Sequence, residues 1–313
     1  RFLMARRERL TRFCSFGRDF QAVTRRSTAS WSRLHQRWAP ARNWSADAGP
    51  GSVHDDATAA KLGFRGGTVA GNIHMDQFAA VLVEVYGQAW FERGALSLYF
   101  LNATVDGEAV RVTSEVRGVR QDQIAVAMFR EDGLQVSAGT ASLYDHSTSA
   151  LKSRDLKAMD PASLRILKPL RVGQSLGNYE ATLDTVRFRE RLDAGLISDP
   201  LPWYSGESPW GGPIASPSLL VELLWGPPMR GLTDVIGNTG GVGLFGAIEV
   251  AHHNGPVFQD RSYSVSAHVV AVSESPKTES MWFDSSAHDA AGQLIVTQRM
   301  MLRFMKDSSP LYR

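Results

Sequence analysis

Residues 53–71 read VHDDATAAKLGFRGGTVAG, and the last six positions of that run, GGTVAG at 66–71, are echoed by GGPIAS at 211–216. Both echoes stand in front of a helical stretch. After the first, Ile73, Phe78, Val81, Leu82 and Val85 recur at roughly helical spacing within 69–86, and Gly87 ends the pattern. After the second, the stretch runs over 217–225. Downstream of the first helix come strand-like runs at 95–102, 109–119 and 123–130, a turn at Glu131-Asp132-Gly133, and a fourth run at 134–143. One helix followed by an antiparallel meander is an α+β unit.

The second half repeats this order. NATVDGEAVRV at 102–112 is echoed by NGPVFQDRSYSV at 254–265, and REDGLQVSAGTASL at 130–143 by HDAAGQLIVTQRMML at 288–302. A repeated supersecondary unit changes the reading of the whole chain. Two such units are expected to pair edge to edge into one continuous sheet with both helices on its concave side, because pairing covers a strand edge that each unit alone would expose. The chain then divides into a basic, disordered extension (1–40), a first unit (41–146), a polar, helix-prone linker (147–168) and a second unit (169–313).

Charge and composition narrow the function classes. Residues 1–40 hold ten arginines, no lysine, and only Glu8 and Asp19 as acids. The whole chain carries +2, so the remainder is mildly acidic, which argues against a nucleic-acid partner, since phosphate neutralisation needs a basic face on the fold itself. The arginine-rich start has the composition of a transit peptide, of a basic arm for an anionic partner, or of an unstructured extension, and the last is the plainest reading. The most apolar stretch is interrupted by His74, Asp76 and Glu84, so no membrane span is expected. The single cysteine, Cys14, excludes intramolecular disulfides and cysteine-rich metal sites and fits a reducing, cytoplasmic compartment. His252-His253 lacks further spaced ligands, so no metal is expected, and GNTGGVG at 237–243 lacks the strand-to-helix context of a phosphate loop.

The run at 53–71, together with Trp90, the segment 96–100 and VDGEAVRV at 105–112, resembles the MaoC-like acyl-CoA hydratase/dehydratase superfamily. The likeness covers 41–145 well and 170–305 more weakly. It implies a double hot-dog fold and an acyl-CoA or acyl-carrier thioester as ligand, with coenzyme A entering as part of the substrate and no separate cofactor. The family motif places its catalytic aspartate five residues before the histidine. Counting back from His54, that position is Gly49, and Asp47 lies two residues further back. The second copy, GESPWGGPIASP at 206–217, lacks both residues and reads as a structural half.

Hydration of a 2-enoyl thioester needs a base, an acid and a place for enolate charge. On the resemblance, His54 is the base or acid, Asp47 its carboxylate partner, and the backbone of Ala70, Gly71 and Asn72 holds the thioester oxygen at the positive end of a helix. His54, Asp55 and Asp56 have a competing reading as residues that cap the following helix. Two rival functions stay open. One is a hot-dog thioesterase using Asp76, with His74 beside it. The other is a non-catalytic acyl-thioester-binding protein, favoured by Gly49 at the aspartate position. Association of two chains into a homodimer also stays open.

Overall fold

The computed structural model describes residues 31–117 and 122–313. Eleven strands form one antiparallel sheet: β1 (Trp31–His35), β2 (Ala39–Pro40), β3 (Gly94–Phe100), β4 (Ala109–Arg117), β5 (Gln123–Arg130), β6 (Gln135–Leu143), β7 (Ser175–Thr182), β8 (Gly243–His252), β9 (Ser262–Glu274), β10 (Thr278–His288) and β11 (Leu294–Met305). Their order is β1-β4-β5-β6-β3-β8-β11-β10-β9-β7, with β2 also on β4. Each half therefore has the same internal order, and the halves meet where β3 pairs antiparallel with β8 through Leu96↔Val250 and Leu98↔Ile248. The short bridges Thr68↔Val105 and Ile214↔Phe258 mark corresponding points of the two copies. This is the continuous sheet expected from the repeat.

Two-residue periodicity sorts the seam. Leu96, Leu98, Ile248 and Val250 enter the main core, while Tyr99 and Ala247 point the other way into a small cluster with Leu151 and Trp282. The main core is built on two long helices, α2 (Gly71–Tyr86) and α5 (Pro217–Ile236). Three shorter helices flank them: α1 (Asp56–Lys61), α3 (Trp90–Arg93) and α4 (Thr185–Asp193).

Three expectations need correction. The fold begins before residue 41, because Trp31–His35 and Ala39–Pro40 pair with β4; residues 1–30, where most of the arginines lie, fall outside the described residues. The linker contains only a short 3-10 turn at Pro161–Ser163 and crosses the back of the sheet. Leu151 N–H donates to Ser97 Oγ (3.0 Å), Ser149 Oγ to Glu249, and Met159 N–H to Val272 O (2.8 Å). Glu279 fixes its far end by accepting the backbone N–H groups of Arg165, Ile166 and Leu167 and the hydroxyl of Tyr312. Finally, the second long helix runs on to Ile236 through Pro227 and Pro228. Proline removes a helix hydrogen bond. Burial of Leu232, and of Pro227 and Pro228 themselves, compensates, and Gly231 lets β7 approach so closely that a Cβ there would lie 2.0 Å from Leu176 O.

The long helices are joined by one buried carboxylate. Asp76 on α2 accepts the Ser218 N–H (2.7 Å) with Oδ1 and the Ser218 hydroxyl (2.5 Å) with Oδ2. It thereby satisfies a first-turn donor of α5 that has no partner within its own helix. Burial pushes the Asp76 carboxyl up to about 7, against the opposing bonds from Ser218 and Ser216. A carboxyl raised from 3.8 to about 7 keeps its proton in the folded chain where the unfolded chain has lost it. Its contribution is therefore greatest below about pH 4 and is lost as pH rises through 7. Asp76→Asn can still accept the Ser218 N–H but cannot titrate. The unfolding free energy of the wild type minus that of Asp76→Asn, from urea titrations, should fall by about 4 kcal/mol between pH 4 and pH 8. A flat difference would show that Asp76 titrates as an ordinary carboxyl.

Candidate active site

The segment that leads into α2 is held by the loop carrying His54. Thr68 N–H donates to Val53 O (3.0 Å), and the Thr68 hydroxyl donates to the same carbonyl (3.3 Å). His54 Nδ1 lies 2.6 Å from Thr68 O. A carbonyl can only accept, so Nδ1 carries the hydrogen and Nε2 is left as a lone pair. Among the described residues, Nε2 has no hydrogen-bond partner. Asn43 Nδ2 donates to His54 O at 2.9 Å. Gly67 is needed here, since a Cβ would stand 2.2 Å from His54 O. The imidazole is half-buried, and that burial lowers its pKa despite the bond to Thr68. Asp55 caps α1 through Thr58 N–H (2.8 Å), and Asp56 accepts the Gly67 N–H (2.7 Å), so both acids build the loop.

Two residues beyond Thr68, Ala70 is the N-cap of α2 in extended conformation, and its side chain offers no cap. The Ile73 N–H returns to Ala70 O (3.1 Å). The N–H groups of Gly71 and Asn72 have no acceptor among the described residues, although both residues are buried. Such groups are ready donors at the positive end of a dipole. The ring of Phe100 lies directly over Gly71, where a Cβ would come within 2.5 Å of it. His54 and the start of α2 thus form one substructure, joined through Thr68.

The expected carboxylate partner of His54 is Asp47. Its backbone lies in the 3-10 turn Ala46–Ala48, followed by Gly49 and Gly51 in left-handed conformation (φ 77° and 93°), but its side chain lies outside the described residues. His74 and Asp76 lie further along α2, and both are occupied. His74 contacts Thr104 Oγ1 (2.7 Å) through Nε2 and Gln77 Oε1 (3.3 Å) through Nδ1, and burial lowers its pKa to about 4. Asp76 spends both oxygens on Ser218. The cavity beside them measures about 10 Å³, room for one water.

The start of α5 is the counterpart of the start of α2, and the two differ. Ser216 is its N-cap, with Oγ accepting the Leu219 N–H (3.4 Å), and Asp76 takes the Ser218 N–H. The second helix start is therefore filled by protein acceptors and the first is not. Ser216 ahead of Pro217 has the sequence form of an N-cap, but nothing in the sequence says that Asp76 reaches Ser218. Asn43, Thr68 and Phe100 also carry no signal readable from spacing.

The remaining candidates fall elsewhere. His252 is buried edge-on to Trp90 (5.5 Å) and Phe91 (5.8 Å), while His253 bonds Thr297 Oγ1 (2.8 Å). No group of three histidine, cysteine, aspartate or glutamate side chains that could hold a metal occurs among the described residues. No described helix is long and apolar enough to cross a membrane.

No family model and no curated protein matches the sequence. Solved structures do match along most of the chain. A MaoC-like dehydratase is 16% identical and superposes with a TM-score of 0.53 over 88% of this chain and 98% of its own. A putative MaoC domain protein dehydratase from Chloroflexus aurantiacus is 11% identical, with a TM-score of 0.56 over 90% and 96%. A conserved hypothetical protein from Mycobacterium tuberculosis, described as having a double hotdog fold, is 12% identical, with a TM-score of 0.57 over 90% and 97%. At such identities the likeness is one of architecture, and it agrees with the duplicated strand order: the chain has the double hot-dog fold, as do structures of MaoC-like dehydratases.

Proposed function

We propose that the protein processes acyl thioesters, and that its reaction is the reversible hydration of a 2-enoyl thioester to the 3-hydroxyacyl thioester. One observation carries this reading: of two equivalent helix starts, only that of α2 keeps free N–H donors, and it alone lies beside a histidine with an unoccupied nitrogen. The thioester oxygen would accept from Gly71 and Asn72 N–H. His54 Nε2 would take a proton from water as the water oxygen bonds to C3. The electron pair of the C2–C3 bond moves toward the carbonyl, and the developing enolate oxygen is held by the helix start. The imidazolium then returns a proton to C2, so the elements of water are added and no redox partner is needed. Asp47, as the carboxylate partner of His54, would help to align the attacking water. Acyl-CoA and acyl-carrier thioesters fit this reading equally, since both present the same reacting atoms. Hydrolysis through Asp76 is less well supported, because that carboxylate holds α5 in place.

Hydration is followed by loss of enoyl-thioester absorbance with crotonyl-CoA and longer 2-enoyl-CoAs. His54→Ala should lower kcat/KM by about 100-fold or more, and Asp47→Asn should lower it as well. Loss with His54→Ala alone would assign the carboxylate role to another residue. Release of free CoA from saturated acyl-CoAs, with no enoyl hydration, would replace the reading with thioester hydrolysis, and binding without any turnover would leave a binding protein.

Two further outcomes test the geometry. The base works unprotonated, and burial lowers the pKa of His54. The acid limb of kcat/KM should therefore lie below pH 6.5, the ordinary histidine value, with full activity at neutral pH. Gly71→Ala would drive a methyl group into the Phe100 ring. It should cost about 10²-fold or more in kcat, as loss of an oxyanion donor does, and Phe100→Ala in the same chain should restore part of that loss.

A further inference from the structure

A buried polar pair beside the start of α2 has no part in the chemistry proposed above. His74, in the first turn of α2, is 3% exposed, and Thr104, on the segment between β3 and β4, is 0% exposed. Gln77 presents Oε1 to His74 Nδ1 (3.3 Å), and an amide oxygen can only accept, so Nδ1 carries the hydrogen. Nε2 is then the acceptor, and the Thr104 hydroxyl donates to it at 2.7 Å. The backbone of Thr104 is joined to the entry of the same helix. Val69 N–H donates to Thr104 O (2.9 Å), and Thr68 bridges Val105. Thr104 therefore holds α2 twice, once just before its N-cap Ala70 and once in the turn beyond it. The free N–H donors of Gly71 and Asn72 lie between these two points. Thr68, at the first of them, is the residue whose carbonyl holds His54 Nδ1.

The second half shows that the fold does not require this pair. There the bridge Ile214↔Phe258 repeats Thr68↔Val105, and the bond from Ala215 N–H to Val257 O (2.8 Å) repeats that from Val69 to Thr104. Ser216 is the N-cap that corresponds to Ala70, so Leu220 corresponds to His74 and Val257 to Thr104. Leu220 and Val257 both belong to the main apolar core. What apolar residues fill in one half is closed in the other by a neutral hydrogen bond. Apolar burial is indifferent to direction, whereas a hydroxyl aimed at an imidazole lone pair restricts how the helix is turned about its axis. The directional pair stands in the half that carries His54 and the free donors.

We infer that His74 and Thr104 are positioning residues, whose hydrogen bond sets the start of α2, with its Gly71 and Asn72 donors, in a fixed place relative to His54. The inference rests on the hydration reading. His74 and Thr104 spend their side-chain groups on each other and on Gln77, so neither is offered to a substrate. Their effect passes through the turn at Ala70 on one side and through Thr68 on the other. A misplacement of about 1 Å at such a site can cost about 10²-fold in rate.

The test moves the apolar pair of the second half into the first. His74→Leu combined with Thr104→Val removes acceptor and donor together, which a core tolerates better than the loss of one. Enoyl-thioester hydration is measured beside the 15N spectrum of the histidine-labelled full chain at neutral pH without substrate, which reports the nitrogen of His54 that carries the hydrogen. In the double variant kcat should fall by about tenfold or more while KM changes by less than about threefold. His54, held as the Nδ1–H tautomer in the wild type, should populate both tautomers. Thr104→Val alone is nearly isosteric and should show the same two changes, which covers a double variant that does not fold. Thr104→Ser keeps the hydroxyl and should keep the wild-type kcat and spectrum. An unchanged His54 spectrum or an unchanged kcat in a folded variant lacking the hydroxyl overturns the inference. A wild type that hydrates no enoyl thioester overturns the hydration reading instead, and the spectrum alone then decides whether the pair positions His54.

Discussion

The antiparallel pairing of β3 with β8 is the constraint on which the rest of this structure depends. Through Leu96↔Val250 and Leu98↔Ile248 it turns two short sheets into one and gives the molecule its internal two-fold relation. A two-fold relation between units brings the same element of each unit to their junction. Here that element is the long helix, and α2 and α5 pack against each other and against the sheet. Once they meet there, the start of one lies within reach of side chains on the other. That proximity is what allows Asp76 to bond Ser218.

The duplicated frame then diverges in its polar groups. Burial of a carboxylate is costly unless its lone pairs are used. Asp76 uses them on the N–H and hydroxyl of Ser218, which at the same time removes that helix start from the set of ligand sites. At the other helix start the N-cap is alanine, the next residue is glycine, and the donors are left for a ligand. Duplication supplied two equivalent frames, and the distribution of a few polar side chains made them unequal.

Much of the frame was legible beforehand. Strands β3 to β6 lie within two residues of their expected limits, because alternation along β4 and β5 records burial on one face and the apolar run of β3 records burial on both. The edge strands β1, β2 and β7 were not foreseen. They are short or polar and gain their order from pairing with β4 and β9. The extension of α5 past Pro227 and Pro228 was missed for a similar reason, since proline is read as a local stop and the packing of Leu232 and Gly231 is not local.

By itself, then, the sequence determined the helix-plus-meander unit, its duplication and the position of His54 just upstream of a glycine-started helix. These are properties of short stretches, in which period and turn residues reflect the environment of each side chain. Which nitrogen of His54 is free was decided only by the tertiary structure, because that depends on Thr68 O standing 2.6 Å from Nδ1. So was the status of Asp76. Residues 76 and 218 are brought into contact by the packing of two helices, and no periodicity within either helix records that the carboxylate of one is the cap of the other.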